Sequence, residues 1–165
     1  MTPPAVRGAS RFAAVALAAI IVVASVATGA AAVKLSRQDH EKSLHTQVLS
    51  AARQIAVDFA VYDYHHIDAD FTRVANESTG SFKSQFVTSS AGVRELIIKA
   101  KAVSKADIAA AGLVNASGNH ATVVVALDRT VTNTSAPKGQ HDSFGLEIQM
   151  LRQHGRWLAS GLKPL

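Results

Sequence analysis

His120-Ala121-Thr122-Val123-Val124-Val125-Ala126-Leu127, running on through Asp128-Arg129-Thr130-Val131-Thr132-Asn133-Thr134, is the stretch that decides the fold. β-Branched residues dominate it, and such side chains suit a pleated, half-buried surface better than a helix. On its N-terminal side Ser117-Gly118-Asn119 forms a turn signal. Before that turn, Val103, Ile108, Ala110, Leu113 and Val114 recur at a period near two and predict a further strand, diluted by alanine. On the C-terminal side Ala136-Pro137-Lys138-Gly139 is a connection. Ser143 to Gln153 then alternates through Phe144, Leu146, Ile148 and Met150, with a one-residue offset around Met150-Leu151. His154-Gly155 turns the chain into a last strand, Arg156 to Leu162. Four strands joined by hairpin-type connections are expected.

Upstream the period changes to that of a helix. Leu44, Val48, Ala51/Ala52, Ile55, Phe59 and Tyr62 return every three or four residues, so Lys34 to about His66 is expected to be helical, with Gln47, Arg53, Gln54 and Asp58 off the apolar face. Asp68 suits the N-cap of a short helix through Phe71 and Val74, which Ser78-Thr79-Gly80 breaks. A third helix is expected over Ser81 to Ala100, with Phe82, Phe86, Val93, Leu96 and Ile97 on its apolar face and Gly92 weakening its middle. Helices followed by a run of strands give an α+β domain: helices packed on one face of a curved antiparallel four-stranded sheet.

Phe12 to Val33 is a run of 22 uncharged residues interrupted by Ser25, Thr28 and Gly29. At about 1.5 Å per residue it can cross a hydrocarbon core of about 30 Å. A cleaved signal peptide competes with this reading, since Arg7 and Arg11 precede the run and Ala30-Ala31-Ala32 fits the small-residue cleavage rule. Signal h-regions usually run about 7–15 residues, however, and a buried soluble helix would carry a polar stripe. A single-pass anchor is the expectation. It divides the chain into a cytoplasmic tail over 1–11, a transmembrane segment over 12–33, a polar stalk helix over 34–43 and an extracytoplasmic α+β domain over 44–165. The cytoplasmic membrane is the expected location. Basic residues flank both sides of the span and do not orient it; the short basic tail suits the cytoplasm and a large following domain tolerates export.

The 165 residues carry 17 Lys+Arg against 12 Asp+Glu and no cysteine. The absence of cysteine excludes a disulfide scaffold, a Cys-ligated zinc site, an iron–sulfur centre and thiol catalysis. Arg7 and Arg11 are the charged residues of the first 33, which leaves 15 basic against 12 acidic on the remaining 132. That is an ordinary soluble surface. Lys99, Lys101 and Lys105 form the densest basic stretch, without the cluster or aromatic motif that nucleic acid demands, so no nucleic-acid partner is expected.

Tyr62-Asp63-Tyr64-His65-His66-Ile67-Asp68-Ala69-Asp70 concentrates ionisable groups. As metal ligands, adjacent His65 and His66 diverge by about 100° on a helix, leaving His65 with Asp68 or His66 with Asp70 as the usable pairs. Acid–base catalysis would use Asp63 as base and Tyr62 or Tyr64 as donor, in a pocket that shifts their pKa values. The plainer reading is a helix end with its cap. No nucleophile elbow, zincin pattern or phosphate loop orders the remaining Ser, His, Asp and Gly residues. No catalytic, cofactor-binding or metal-ligating residue is assigned, and no cofactor is expected.

Taken in order, the short basic tail, one span, Ala-rich helix ending in Tyr62-Asp63-Tyr64, Asp68-Ala69-Asp70-Phe71, Thr79-Gly80-Ser81-Phe82, Val123-Val124-Val125, Asp128 to Asn133 and terminal Arg156-Trp157-Leu158-Ala159-Ser160-Gly161-Leu162 resemble the Mce-associated membrane proteins of actinobacteria. The resemblance implies a nuclear-transport-factor-like cone outside the cytoplasmic membrane. It also implies an accessory, non-catalytic role in a Mce-type lipid-import complex, with the transporter subunits and their permease as partners. Tyr62, Asp63, Tyr64, Asp68, Asp70, Gly80, Phe82, Asp128, Thr130, Asn133, Trp157 and Leu162 are the motif positions, expected to be structural; the His65-His66 pair departs from the pattern. Two other readings stay open: a lipid-binding cone lined by Phe86, Leu96, Phe144 and Trp157, and a small enzyme using Tyr62 or Asp63. The fold hosts both kinds of protein and does not choose between them.

Overall fold

A computed structural model describes residues 42–165; the expected span over 12–33, with the tail and most of the stalk, lies outside the described residues. Among the described residues, no helix is long and apolar enough to cross a membrane. The compact unit is Leu44–Leu165.

Helix α1 runs to residue 60 and is helical from residue 42 on. Of the predicted apolar stripe, Val48, Ala52 and Ile55 are buried and Leu44, Ala51 and Phe59 half-buried; Ala56 and Ala60 join the buried face, and so does Asp58, which the pattern places off it. The helix ends six residues before the expected His66. Val61 still bonds to the Val57 carbonyl at 2.8 Å, after which Tyr62–Asp63 forms a short strand, β1. Two bonds explain the early stop. Ser104 Oγ donates to the Ala60 carbonyl at 2.7 Å, satisfying an acceptor that the helix end leaves open. Asp63 Oδ1 accepts from the His65 backbone N–H at 2.9 Å, a local turn that competes with helical bonding.

Helix α2 spans Ile67–Asn76 with His66 at its N-cap, so Asp68 is not the cap. Asp68 sits in the first helical turn, where its negative charge complements the helix dipole. Helix α3 spans Gly80–Ala100 without a break at Gly92. It buries one of the five expected apolar residues, Ile97. Phe82 and Phe86 are half-buried, and Val93 and Leu96 are exposed: α3 packs on α2 and β5 and brings the ring of Phe86 to 6.4 Å from that of Phe59 of α1, which leaves other sides of the helix open.

The sheet follows as β2 (Val103–Ser117), β3 (His120–Thr132), β4 (Gln140–Gln153) and β5 (Arg156–Pro164). With β1 it is a five-stranded antiparallel meander in the order β1-β2-β3-β4-β5, one strand more than the sequence suggests. Two-residue turns join β2 to β3 and β4 to β5. Gly118 adopts φ +58°, and His154 and Gly155 both adopt positive φ, as tight hairpins require. Three bulges bend the strands. Ala109 and Val114 are extra residues on β2, which explains the broken alternation there; on β5 the extra residue is Ser160, opposite Gln149-Met150.

The core is the α1 stripe laid on one face of this sheet: Ala121, Val123, Val125 and Leu127 from β3, Leu146, Ile148 and Met150 from β4, and Trp157 and Ala159 from β5. A smaller cluster, Ile67, Ile97 and Ala102 with Tyr62, Tyr64 and Phe71 against them, joins α2 and α3 to the β1 end.

Candidate functional site

The chemistry gathers where α1, α2 and the α2–α3 link meet β5. One turn apart on α1, Gln54 Nε2 donates to Asp58 Oδ2 at 2.8 Å. On α2, Asp70 and Arg73 stand three residues apart. Arg73 bridges the helices: its Nε lies 2.8 Å from Asp58 Oδ1 and its Nη2 2.6 Å from Asp70 Oδ1. Both aspartates are buried. Asp70 Oδ2 also accepts the Asp63 backbone N–H at 2.9 Å, which fastens β1 to the same node.

Glu77 completes the group. The link carrying it is stitched to the edge of β5: the Ala159 N–H donates to the Glu77 carbonyl and the Thr79 N–H to the Ala159 carbonyl, both at 2.8 Å. Fixed in this way, the Glu77 side chain lines a cleft of about 620 Å³ together with Ser50, Gln54, Arg156 and Trp157. Glu77 Oε2 is buried with no donor. Burial, then the charge of Asp58 and a hydrogen bond to it, push the Glu77 carboxyl up to about 7, against the opposing pull of Arg73 and Arg156. That hydrogen bond exists only while Glu77 holds a proton to donate.

Because the folded-state pKa lies above the ordinary value of 4.5, the folded state binds the extra proton. The stability this group contributes is complete below pH 4.5 and is lost as pH rises through about 7. Glu77→Gln is expected to flatten that loss, raising stability at pH 8 by about 1–2 kcal/mol relative to the native chain, a figure discounted for partial solvent access. Chemical denaturation at pH 4.5 and pH 8 measures it; an unchanged difference between the two pH values would contradict the assignment.

The expected site residues are scattered. Asp63 lacks the raised pKa expected of a catalytic base: backbone and side-chain hydrogen bonds from His65, the latter from Nδ1 at 2.7 Å, hold its carboxyl below the ordinary range. Tyr62 stands half-buried in β1, opposite Ser104, and Tyr64 stacks on His65 with ring centres 3.8 Å apart. Asp68 forms a two-pronged, exposed pair with Arg94 of α3, its second contact 2.7 Å long, and that guanidinium lowers its pKa. His65 and His66 lie in a turn rather than on a helix, with ring centres 6.2 Å apart. Among the described residues no group of three or more His, Asp or Glu is placed to hold a metal ion.

Gly80 opens α3 at φ +61°, and Phe82 packs against the main core. Asp128 accepts from Ser143 Oγ, and Thr130 Oγ1 meets His141 Nδ1 at 2.8 Å; both bonds tie β3 to β4. Asn133 Oδ1 accepts the Ser135 and Ala136 N–H groups at 2.8 Å, an Asx turn that ends β3. Trp157 belongs to the core and Leu162 packs beside it.

The four residues expected to line a lipid cavity share none. Leu96 is 67% exposed, Trp157 is buried, Phe86 meets Phe71 edge-on at 5.7 Å, and Phe144 lies under the Arg129 guanidinium at 4.7 Å. The Asp58–Arg73–Asp70–Glu77 group escaped sequence reasoning. Its local signs are the Gln54/Asp58 spacing, one turn apart on α1, and the Asp70/Arg73 spacing, three residues apart on α2.

Solved structures share the fold. An IcmL-like type IV secretion system protein from Legionella pneumophila superposes with a TM-score of 0.61 at 12% identity, covering 73% of this chain and 91% of that one. A periplasmic fragment of TraM gives 0.60 at 14% identity, covering 72% and 95%. CagV, a VirB8 homologue of the type IV secretion system of Helicobacter pylori, gives 0.58 at 12% identity, covering 72% and 96%. The five-stranded antiparallel sheet with its helices is thus the fold these solved domains share. In sequence, the chain is 25% identical over 154 residues to the Mycobacterium tuberculosis protein Rv1363c, covering 91% of this chain and 59% of that longer protein. A family model described as "Uncharacterized protein Rv1363c/MT1408-like" matches residues 10–163, and the chain belongs to that family.

Proposed function

We propose that the chain is a membrane-anchored, non-catalytic accessory subunit whose cone stands outside the cytoplasmic membrane and docks onto the proteins of an envelope complex. The observation that carries this reading is a filled core beside a helix, α3, that keeps exposed apolar side chains. The α1 stripe and the facing strands interlock, with Val48, Ala52, Leu127, Leu146, Ile148 and Met150 at most 1% exposed, while α3 presents Val87, Val93, Leu96 and Ile98 to solvent at 40% or more. Val93 and Leu96 stand three residues apart on one side of α3, and exposed apolar side chains of this kind are what an interaction surface offers. The secretion-system components with this fold support such a role by analogy. The run from Phe12 to Val33 supplies the anchor. The sequence resemblance makes a Mce-type lipid importer, with its permease, the complex to seek.

Purification of the tagged full-length protein from its native membrane in mild detergent, followed by mass spectrometry of proteins and lipids, tests this. Recovery of importer subunits is expected. The double substitution Val93→Glu, Leu96→Glu is expected to abolish that recovery while changing stability by less than about 0.5 kcal/mol, as surface substitutions do. The protein recovered alone with stoichiometric lipid would overturn the reading in favour of a lipid-binding cone.

A further inference from the structure

The cleft between α1 and the β4–β5 turn has the chemistry of a binding site that the docking role does not use. Its α1 wall is a ladder of neutral polar groups: Thr46, Ser50 and Gln54 follow one another at four-residue steps, so they stack along one side of the helix. Hydroxyls and amides of this kind both donate and accept hydrogen bonds. The opposite wall is Glu77, Arg156 and Trp157.

Trp157 supplies the second observation. It is 7% exposed, yet its indole Nε1–H is buried with no acceptor, and among the described residues the only other such buried side-chain atom belongs to Glu77 of the same cleft. An unmet buried donor costs about 1–3 kcal/mol.

Charge narrows the ligand class. The acidic Asp58 and Asp70 are matched by the basic Arg73 and Arg156, so the surroundings are balanced while Glu77 is protonated and favour neither an anion nor a cation. The lining is mixed, with Ala51, Ile55 and Trp157 beside the polar ladder, and the cleft is too open to enclose an acyl chain. A neutral ligand studded with hydroxyl groups meets all three conditions. We propose that this cleft binds a neutral saccharide, its hydroxyls bridging the Ser50–Gln54 ladder to the Trp157–Glu77 wall.

The chain has a single tryptophan, so the indole N–H gives one assignable nuclear magnetic resonance signal and one fluorescence source, both at the cleft. Full-length protein in a detergent without a sugar headgroup is titrated with maltose and with trehalose. At least one is expected to shift the indole signal saturably, with Kd on the order of 1 mM or tighter. Ser50→Leu, on the exposed side of α1, is expected to weaken that binding at least tenfold without altering the unfolding midpoint. No shift with either sugar, an equal shift in Ser50→Leu, or an equal shift with an uncharged peptide amide would overturn the proposal. None of these outcomes bears on recovery of partner proteins, so the docking role stands or falls separately.

Discussion

Arg73→Met is expected to destabilise the domain by about 3 kcal/mol at neutral pH, among the largest losses available to a single polar residue here. The guanidinium is the cation that holds Asp58 of α1 to Asp70 of α2, at 2.8 and 2.6 Å. Both carboxylates are buried, and removing one partner leaves uncompensated charge, which costs about 3–5 kcal/mol in a dry site. The Arg73 side chain is 43% exposed, so water moderates the loss and the lower end applies. One signature separates this from loss of packing. Arg73→Lys keeps the charge but not the two-pronged geometry and should lose less than half as much. Guanidinium denaturation of both variants at pH 7, followed by the fluorescence of Trp157, measures it. An equal loss in Arg73→Lys would mean that the charge is not what Arg73 contributes.

Leu127→Ala is expected to cost about 3–4 kcal/mol, independent of pH, lowering the melting temperature by about 10 °C or more. Leu127 is fully buried at the centre of β3, in the cluster that joins α1 to three strands. Neighbours on both sides are held by sheet hydrogen bonds, Leu127 lying opposite Ile108 on β2 and Phe144 on β4, so the site collapses little and the cavity remains. Leu127→Met, which conserves volume, should cost less than about 1.5 kcal/mol. Calorimetry of the two variants checks the ordering; a loss below about 1 kcal/mol for Leu127→Ala would show that the core is not closed at this point.

Much of the fold was legible because periodicity reports how a segment meets its neighbours. Leu146, Ile148 and Met150 are buried in alternation as the sequence pattern predicts, and the β-branched run of β3 forms the expected strand, burying Val123, Val125 and Leu127 on one face. The α1 stripe from Val48 to Ile55 is likewise the buried one. The same reasoning failed on α3. Its apolar residues mark a face suited to burial, but burial depends on what the chain brings opposite, and the described residues bring α2, β5 and Phe59 of α1 against only part of it. The end of α1 was missed for a related reason. The bonds that fix it come from Ser104, 44 residues away, and from an Asp63 turn that competes with a continuing helix on nearly equal terms.

The candidate site divides along the same line. Composition and the order of elements sufficed to read an α+β domain behind a hydrophobic run, without thiol chemistry, because absent residue types and backbone periods are properties of the linear chain. Asp63 was the wrong carboxylate to single out: its density of ionisable neighbours is local, and those neighbours solvate its charge. Asp58, Asp70, Arg73 and Glu77 acquire their character from meeting across two helices and a link stitched to β5. Desolvation and the field of one charge on another depend on burial and distance in space. Only the tertiary structure sets those quantities, so only it decided which carboxyl is perturbed, which tryptophan N–H lacks a partner, and where the cleft lies.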